Sequence, residues 1–278
     1  IAALACRVLS SPSSVHTFSI GLDVNSLDIQ CARTVAEYLG TTHHEFIVSA
    51  EEMLAAIPQV VELFETFDVT TIRAGTPMVL LARYIRQNTN CKVILSGEGA
   101  DEICGGYLYL RNAPTDQEFE EECSRLAHEL HMFDVLRADR AVSGSGLELR
   151  VPFLDPQFVN AYWNIPVNER TSTDKPEKNI LRDIAVRYLP NSIATRRKEA
   201  FSDGVSTQAD SWYKIIQDYA LTKIPESLIY PPHCGREAER LWIMELFDRC
   251  QYAKLLDHLW LPRWTTTLDP SARALDLY

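Results

Sequence analysis

Apolar and polar positions fall into two regimes along the chain. Between residues 16 and 97, short runs of apolar and polar residues, HTFSIGL (16–22), HHEFIVS (43–49) and KVILSG (92–97), are separated by stretches with apolar residues three and four apart. The short runs predict strands, and the longer stretches predict helices. LDIQCARTVAEYLG (27–40) puts Leu27, Cys31, Val35 and Leu39 on one helical face and stops at Gly40. SAEEMLAAIPQVVELFE (49–65) opens with Ser49 and Glu52, a capping box, and Pro58 inside it predicts a kink or break. TPMVLLARYIRQNT (76–89) predicts a helix with Pro77 in its first turn. Strands alternating with helices at this spacing imply an α/β fold with a doubly wound parallel sheet. Beyond residue 115 the strand signals stop, and 116–143, 158–165, 178–189, 211–220 and 237–250 read as helices. The chain therefore divides into an α/β part, 1–114, and a mainly helical part, 115–278. The tail from Leu261 is polar and mixed, and reads as irregular.

Composition narrows the classes of partner. A length of 278 residues suits one large or two small domains, and 46% hydrophobic residues allow a sizeable core. A net charge of −11 argues against nucleic acid or an anionic membrane as partner, though not against a local basic pocket for a small anion. No apolar run approaches the ~20 residues of a membrane helix. With no visible signal peptide, the expected location is cytoplasmic, although a first residue of Ile places the expected start of the protein upstream. The seven cysteines include no C-x-x-C pair and read as reduced structural thiols. His128 and His131 are spaced like a helical metal pair, but with no third ligand nearby they read as solvated or core histidines.

Candidate chemistry concentrates in VILSGEGADEICGGY (93–107), where Glu98, Asp101 and Glu102 stand among glycines after a strand. In an open α/β sheet, ligands bind beyond the carboxyl ends of strands. Glycine there lets a ligand approach the backbone, and N–H groups at the next helix start accept anions. Acids beside a polyphosphate are reconciled by Mg²⁺, which takes carboxylate and phosphate oxygens together. The same stretch also fits a capped turn whose acids complement a helix N-terminus, and taken alone it supports both readings equally. DVTTIRAGTP (68–77) carries Arg73, GLELRVPFLD (146–155) carries Arg150 and Asp155, and RRKEAFSDG (196–204) carries Lys198. Such groups could balance a leaving polyphosphate, or could be ordinary surface ion pairs.

The runs FETFDVTTIRAGTPM, VILSGEGADEICGGYLYLRNAP, LHMFDVLRADRAVSGSGLELRVPFLD and RRKEAFSDG, together with DPSAR (269–273), resemble the synthetase domain of the glutamine-hydrolysing asparagine synthetases. The resemblance spans nearly the whole chain. It implies an ATP-pyrophosphatase (adenine nucleotide alpha hydrolase-like) fold in the α/β part, with the helical part completing the site. It implies amidation of aspartate through β-aspartyl-AMP, with ATP and Mg²⁺. Ammonia would come from glutamine in an N-terminal glutaminase domain outside this chain, and a homodimer is compatible with the family. The family's SGGLDSS phosphate loop would lie immediately before Ile1, so the isolated 278 residues are expected to be inactive. By the resemblance, Ile20 touches adenine, Ser96 and Gly97 hold the adenosine part, and Glu98 accepts a proton as ammonia attacks. Asp101 and Glu102 bind Mg²⁺, with Asp101 on the nucleotide side and Glu102 on the aspartate side. Arg73 and Lys198 neutralise phosphate charge, and Arg150 and Asp155 contact or brace the substrate site. A β-lactam synthetase-like ring-closing enzyme and a catalytically inactive nucleotide-binding relative are the rival expectations.

Overall fold

The computed structural model describes residues 1–9, 11–171, 175–250, 260–265 and 269. The first region contains α1 (Ala2–Val8), β1 (His16–Gly21), α2 (Leu27–Leu39), β2 (Thr42–Ile47), α3 (Ala50–Phe64), α4 (Val69–Asn88), β3 (Val93–Leu95) and α5 (Ala100–Cys104). β1 and β2 pair in parallel, from His16 opposite Thr42 to Gly21 opposite Ile47, with α2 as the crossover. α2 stops at Gly40, whose φ of 75° is the left-handed conformation a helix C-terminus favours. The Ser49–Glu52 capping box opens α3, both halves formed.

Several elements differ from the sequence expectation. α3 runs through Pro58 without a break. Pro58 lies on the exposed face, where water can serve the carbonyl that loses its partner, while Met53, Ile57, Val60, Val61 and Phe64 anchor the other face in the core. Each such side chain contributes about 1.5–3 kcal/mol on burial. The helix expected from residue 76 starts earlier, and the polar run 68–77 forms the first half of α4, with the Asp68 carboxylate accepting the Thr71 N–H at 2.7 Å as its cap. Pro77 consequently sits inside the helix and leaves the Arg73 carbonyl without its usual donor. The buried Trp212 indole supplies one, 3.1 Å away. Finally, strand structure does not stop at residue 115. β4 (Glu148–Arg150) pairs in parallel with β3, Val93 opposite Glu148 and Leu95 opposite Arg150. Three residues with a single inward Leu149 are too short for alternation to register.

The rest is helical: α6 (Asp116–Glu129), α7 (Asp134–Ser143), α8 (Pro156–Trp163), α9 (Val167–Arg170), α10 (Asn179–Ala185), α11 (Asn191–Ala194), α12 (Phe201–Gly204), α13 (Trp212–Leu221) and α14 (Gly235–Arg249). The single helix expected over 116–143 is broken by a 3₁₀ turn at Leu130–Met132. The result is a mixed α/β, mostly helical fold whose described strands form two parallel pairs, β1–β2 and β3–β4. Both pairs rest on the same helices: Phe18 of β1, Ile94 of β3 and Leu149 of β4 pack with Ala82 and Ile85 of α4 and Val142 of α7. The main core lies between α3, α4, α13 and α14. Among the described residues, no helix is long and apolar enough to cross a membrane. All seven cysteines are free thiols.

Candidate active site

The site grows from the end of β3. The Ser96 N–H donates to the Arg150 carbonyl at 3.0 Å, extending the ladder by one bond before the chain turns through 97–99 into α5. Gly99 has a φ of +86°, and a Cβ there would lie 2.2 Å from Leu154 Cδ2, so both backbone and packing require glycine. Gly97 is different. A Cβ on it would meet nothing within 4 Å, so open space borders the backbone at the strand end.

Three acids leave this turn into three environments. Glu98 meets Arg137 of α7, Nη2 to Oε2 at 3.1 Å, and the same nitrogen lies 2.7 Å from Asp134. Burial raises the Glu98 pKa; Arg137 opposes this, and the charges of Asp134 and Asp101 add to it. Asp101 lies between two ammonium groups, Lys178 Nζ at 2.5 Å from Oδ1 and Lys198 Nζ at 2.7 Å from Oδ2. Burial alone would raise its pKa, but the two lysines prevail and hold it below the usual carboxylate range. Glu102 is 2% exposed and accepts the Tyr107 hydroxyl at 2.5 Å; that hydroxyl lies 3.5 Å from Asp134. Burial, then the neighbouring Asp134 and Asp101, push the Glu102 pKa well up.

These environments bear on the expected Mg²⁺ ligands. A divalent cation wants free, ionised carboxylate oxygens. Both Asp101 oxygens carry ammonium groups, and the surroundings of Glu102 favour its neutral form. In this geometry Lys178 and Lys198, arriving from residues distant in the chain, hold both Asp101 oxygens, so the pair as placed presents no free ionised oxygens to a divalent cation.

The other expected site residues are dispersed. Lys198 joins the cluster through Asp101. Ile20, at the end of β1, is 2% exposed and belongs to the main core. Arg150 is exposed and bonds Glu148 on its own strand at 2.8 Å, and Asp155 caps α8 by accepting the Gln157 N–H at 2.8 Å; neither is among the partners of the buried acids. Arg73 does not stand free for a phosphate. Its guanidinium is gripped by Glu239 at 2.5–2.7 Å and by Asp269 at 2.8 Å, almost wholly buried. Burial disfavours its charge, but the two carboxylates hold it firmly protonated. Of DPSAR, only Asp269 falls within the described residues. Removing one member of a buried ion cluster leaves uncompensated charge. Arg73→Met is therefore expected to lower unfolding free energy by about 3–5 kcal/mol in chemical denaturation. A residue serving only to contact phosphate would leave stability unchanged.

Tyr107, Asp134, Arg137 and Lys178 complete the cluster and were not singled out from the sequence. Asp134 and Arg137 carried a faint signal, opposite charges three apart on a helix. Lys178 carried none, since it meets Asp101 across 77 residues.

The raised Glu102 pKa has a consequence for stability. Its folded pKa lies above its unfolded value, so the native state binds more protons between the two, and stability falls as pH rises through that window. Glu102→Gln is expected to gain melting temperature relative to wild type as pH rises above the ordinary carboxylate range. A difference that is flat with pH would show Glu102 ionised throughout.

The class so defined is an α/β protein with a buried charge cluster at the carboxyl end of a parallel strand. The family model described as asparagine synthase matches residues 1–116 and 110–269, and this chain belongs to that family. The glutamine-hydrolysing asparagine synthetase of Mus musculus is 42% identical over 275 residues, covering 95% of this chain and 49% of the mouse protein. The enzymes of that name from Homo sapiens and Gallus gallus are 40% and 42% identical over 275 and 274 residues, again across 95% of this chain and 49% of theirs. The chain thus spans about half the length of the curated relatives it matches.

Proposed function

We propose that this chain is the synthetase part of an enzyme that amidates aspartate to asparagine. The ammonia comes from glutamine hydrolysed in an N-terminal glutaminase domain outside these residues. The observation that carries the reading is 42% identity across 95% of the chain to proteins named for this activity. The strand-end cluster supplies suitable groups. An aspartate carboxylate oxygen attacks the α-phosphorus of ATP, pyrophosphate leaves, and β-aspartyl-AMP forms. Ammonia then attacks the acyl carbon, AMP leaves, and a proton passes from nitrogen to a base.

The adenosine part would lie along Ser96 and Gly97, where the open space beside Gly97 admits it, with Ile20 toward the adenine. Lys198 would face the departing pyrophosphate, anion meeting cation in a largely buried setting. Glu98 would accept the ammonia proton. Its raised pKa gives the carboxylate a stronger grip on a proton, and Arg137 keeps part of it ionised beforehand. Glu102 would stay neutral toward aspartate, limiting repulsion between carboxyl groups. Mg²⁺ would enter only as the counter-ion of ATP. Arg73 braces α4, and Arg150 and Asp155 brace the rim.

The same reading extends to the fold. Two parallel strand pairs on one helical layer suit a doubly wound ATP-pyrophosphatase sheet, with a strand and phosphate loop ahead of Ile1 joining β1 to β3. Exposed Val93 and Leu95 on β3, and Leu4, Val8 and Leu9 at and just after α1, are the apolar surface such a segment would cover. In this division β4 belongs with the sheet part, and the helical part contributes Arg137, Lys178 and Lys198.

The full-length protein carrying this chain is expected to exchange labelled pyrophosphate into ATP only when aspartate is present, without ammonia or glutamine. Exchange independent of aspartate, or none at all, would overturn the reading.

A further inference from the structure

The stretch 260–265 lies outside every helix and strand, yet it is tied down at three points. The Trp260 N–H donates to Asp68 Oδ2 at 3.0 Å, on the carboxylate whose other oxygen caps α4. The Trp264 carbonyl accepts the Asn112 amide at 3.0 Å, and Arg263 Nη1 donates to Glu122 Oε2 at 3.0 Å. These bonds seat the buried Trp260 indole beside the rings of Tyr107 and Tyr109. Its centroid lies 5.5 Å from the Tyr107 ring and 6.1 Å from the Tyr109 ring, the latter edge to face. At such separations aromatic rings attract one another as well as fill space. Tyr107 is where the charge cluster meets this aromatic wall. Its hydroxyl donates to Glu102 at 2.5 Å, and Lys198 Nζ stands 5.9 Å from its ring centroid, at the outer reach of a cation–π contact. A tyrosine ring turns about two side-chain torsions, so a neighbour that blocks the ring also fixes the hydroxyl.

We infer that Trp260 is a positioning residue of the aspartate-activating step: its indole holds the Tyr107 ring, and the Tyr107 hydroxyl holds Glu102 where aspartate is received. The inference rests on the proposed adenylating function and deepens it, since it gives residue 260 a share in substrate binding without contact with substrate. Losing the indole opens space beside the Tyr107 ring. The hydroxyl is then free to leave Glu102, whose buried carboxyl loses its fixed orientation and offers aspartate a poorer partner. The contacts run from Trp260 to Glu102 without passing through Ser96 or Gly97, and Lys198 keeps its bond to Asp101, so the nucleotide side changes little.

The test uses the full-length protein and aspartate-dependent exchange of pyrophosphate into ATP. KM for aspartate and KM for ATP are measured separately for wild type, Trp260→Leu, Trp260→Phe, Tyr107→Phe and the double variant of Trp260→Leu with Tyr107→Phe. Phenylalanine at 260 keeps an aromatic ring, and phenylalanine at 107 keeps the ring and removes the hydroxyl. The expected result is a rise of about 10-fold in KM for aspartate in Trp260→Leu and in Tyr107→Phe, with KM for ATP within about 2-fold of wild type and most of the loss recovered in Trp260→Phe. The double variant should be no worse than Tyr107→Phe, because the indole acts through a hydroxyl already removed. Additive losses in the double variant, an equal rise in both KM values, or a lower melting temperature with KM for aspartate unchanged would overturn the inference. Should Trp260→Leu fail to fold, Tyr107→Phe still decides, since a normal KM for aspartate there would break the chain of contacts. Wild type answers the separate question: no exchange in wild type would sink the adenylating function itself, whereas wild-type exchange with an unchanged KM for aspartate in Trp260→Leu would sink only the positioning role.

Discussion

Glu98→Gln in the full-length enzyme is expected to leave aspartate-dependent pyrophosphate exchange nearly intact while asparagine formation falls by about 10²–10⁴-fold. The substitution keeps the shape and a hydrogen-bond acceptor for Arg137, but an amide cannot take the proton that ammonia must lose. Adenylation needs no such base, so the two half-reactions should separate cleanly. The geometry motivates this split. Glu98 sits at the strand end beside open space, its pKa lifted by burial and its charge countered by Arg137. Equal loss of both half-reactions would move Glu98 from the ammonia step to nucleotide binding. No loss of either would return the turn to a mere helix start.

Lys198→Ala is expected to act on the other half. Exchange and synthesis should fall together, by about 10²-fold or more, the scale for removing one electrostatic stabiliser from a transition state. Lys198 is largely covered beside Asp101; burial works against its charge, but the carboxylate prevails and raises its pKa, so the charge is present at any working pH. Its loss leaves Asp101 with Lys178 alone, which weakens the grip on the leaving group without opening the apolar core. Near-normal exchange by this variant would make Lys198 a structural charge. Measuring exchange and asparagine yield on the same preparations keeps the Glu98 and Lys198 effects apart.

The fold was legible where one element carried its own signal. β1, β2 and α2, with the glycine stop at Gly40, and the capping box of α3 were readable because each depends on residues close in sequence. β4 was hidden because three residues carry no period, and the first half of α4 because burial against distant helices overrides its polar composition. Pro77 shows the same limit: its place inside α4 is tolerated through the indole of Trp212, 135 residues later. In the site, the turn after β3 announced its acids, but not their partners. Arg137, Lys178 and Lys198 arrive through the fold and give the three acids separate protonation behaviour, which no local pattern encodes. Arg73 is the converse case. Its charge was expected to balance phosphate or a surface ion pair, and the structure shows a buried ion cluster with Glu239 and Asp269.

The most direct test of the account is the product balance of the full-length protein given aspartate, ATP and ammonium. The account predicts AMP, pyrophosphate and asparagine in equal amounts, with no product formed when aspartate is omitted. ADP and inorganic phosphate as the nucleotide products, or AMP and pyrophosphate released with ammonium present but no asparagine made, would contradict it.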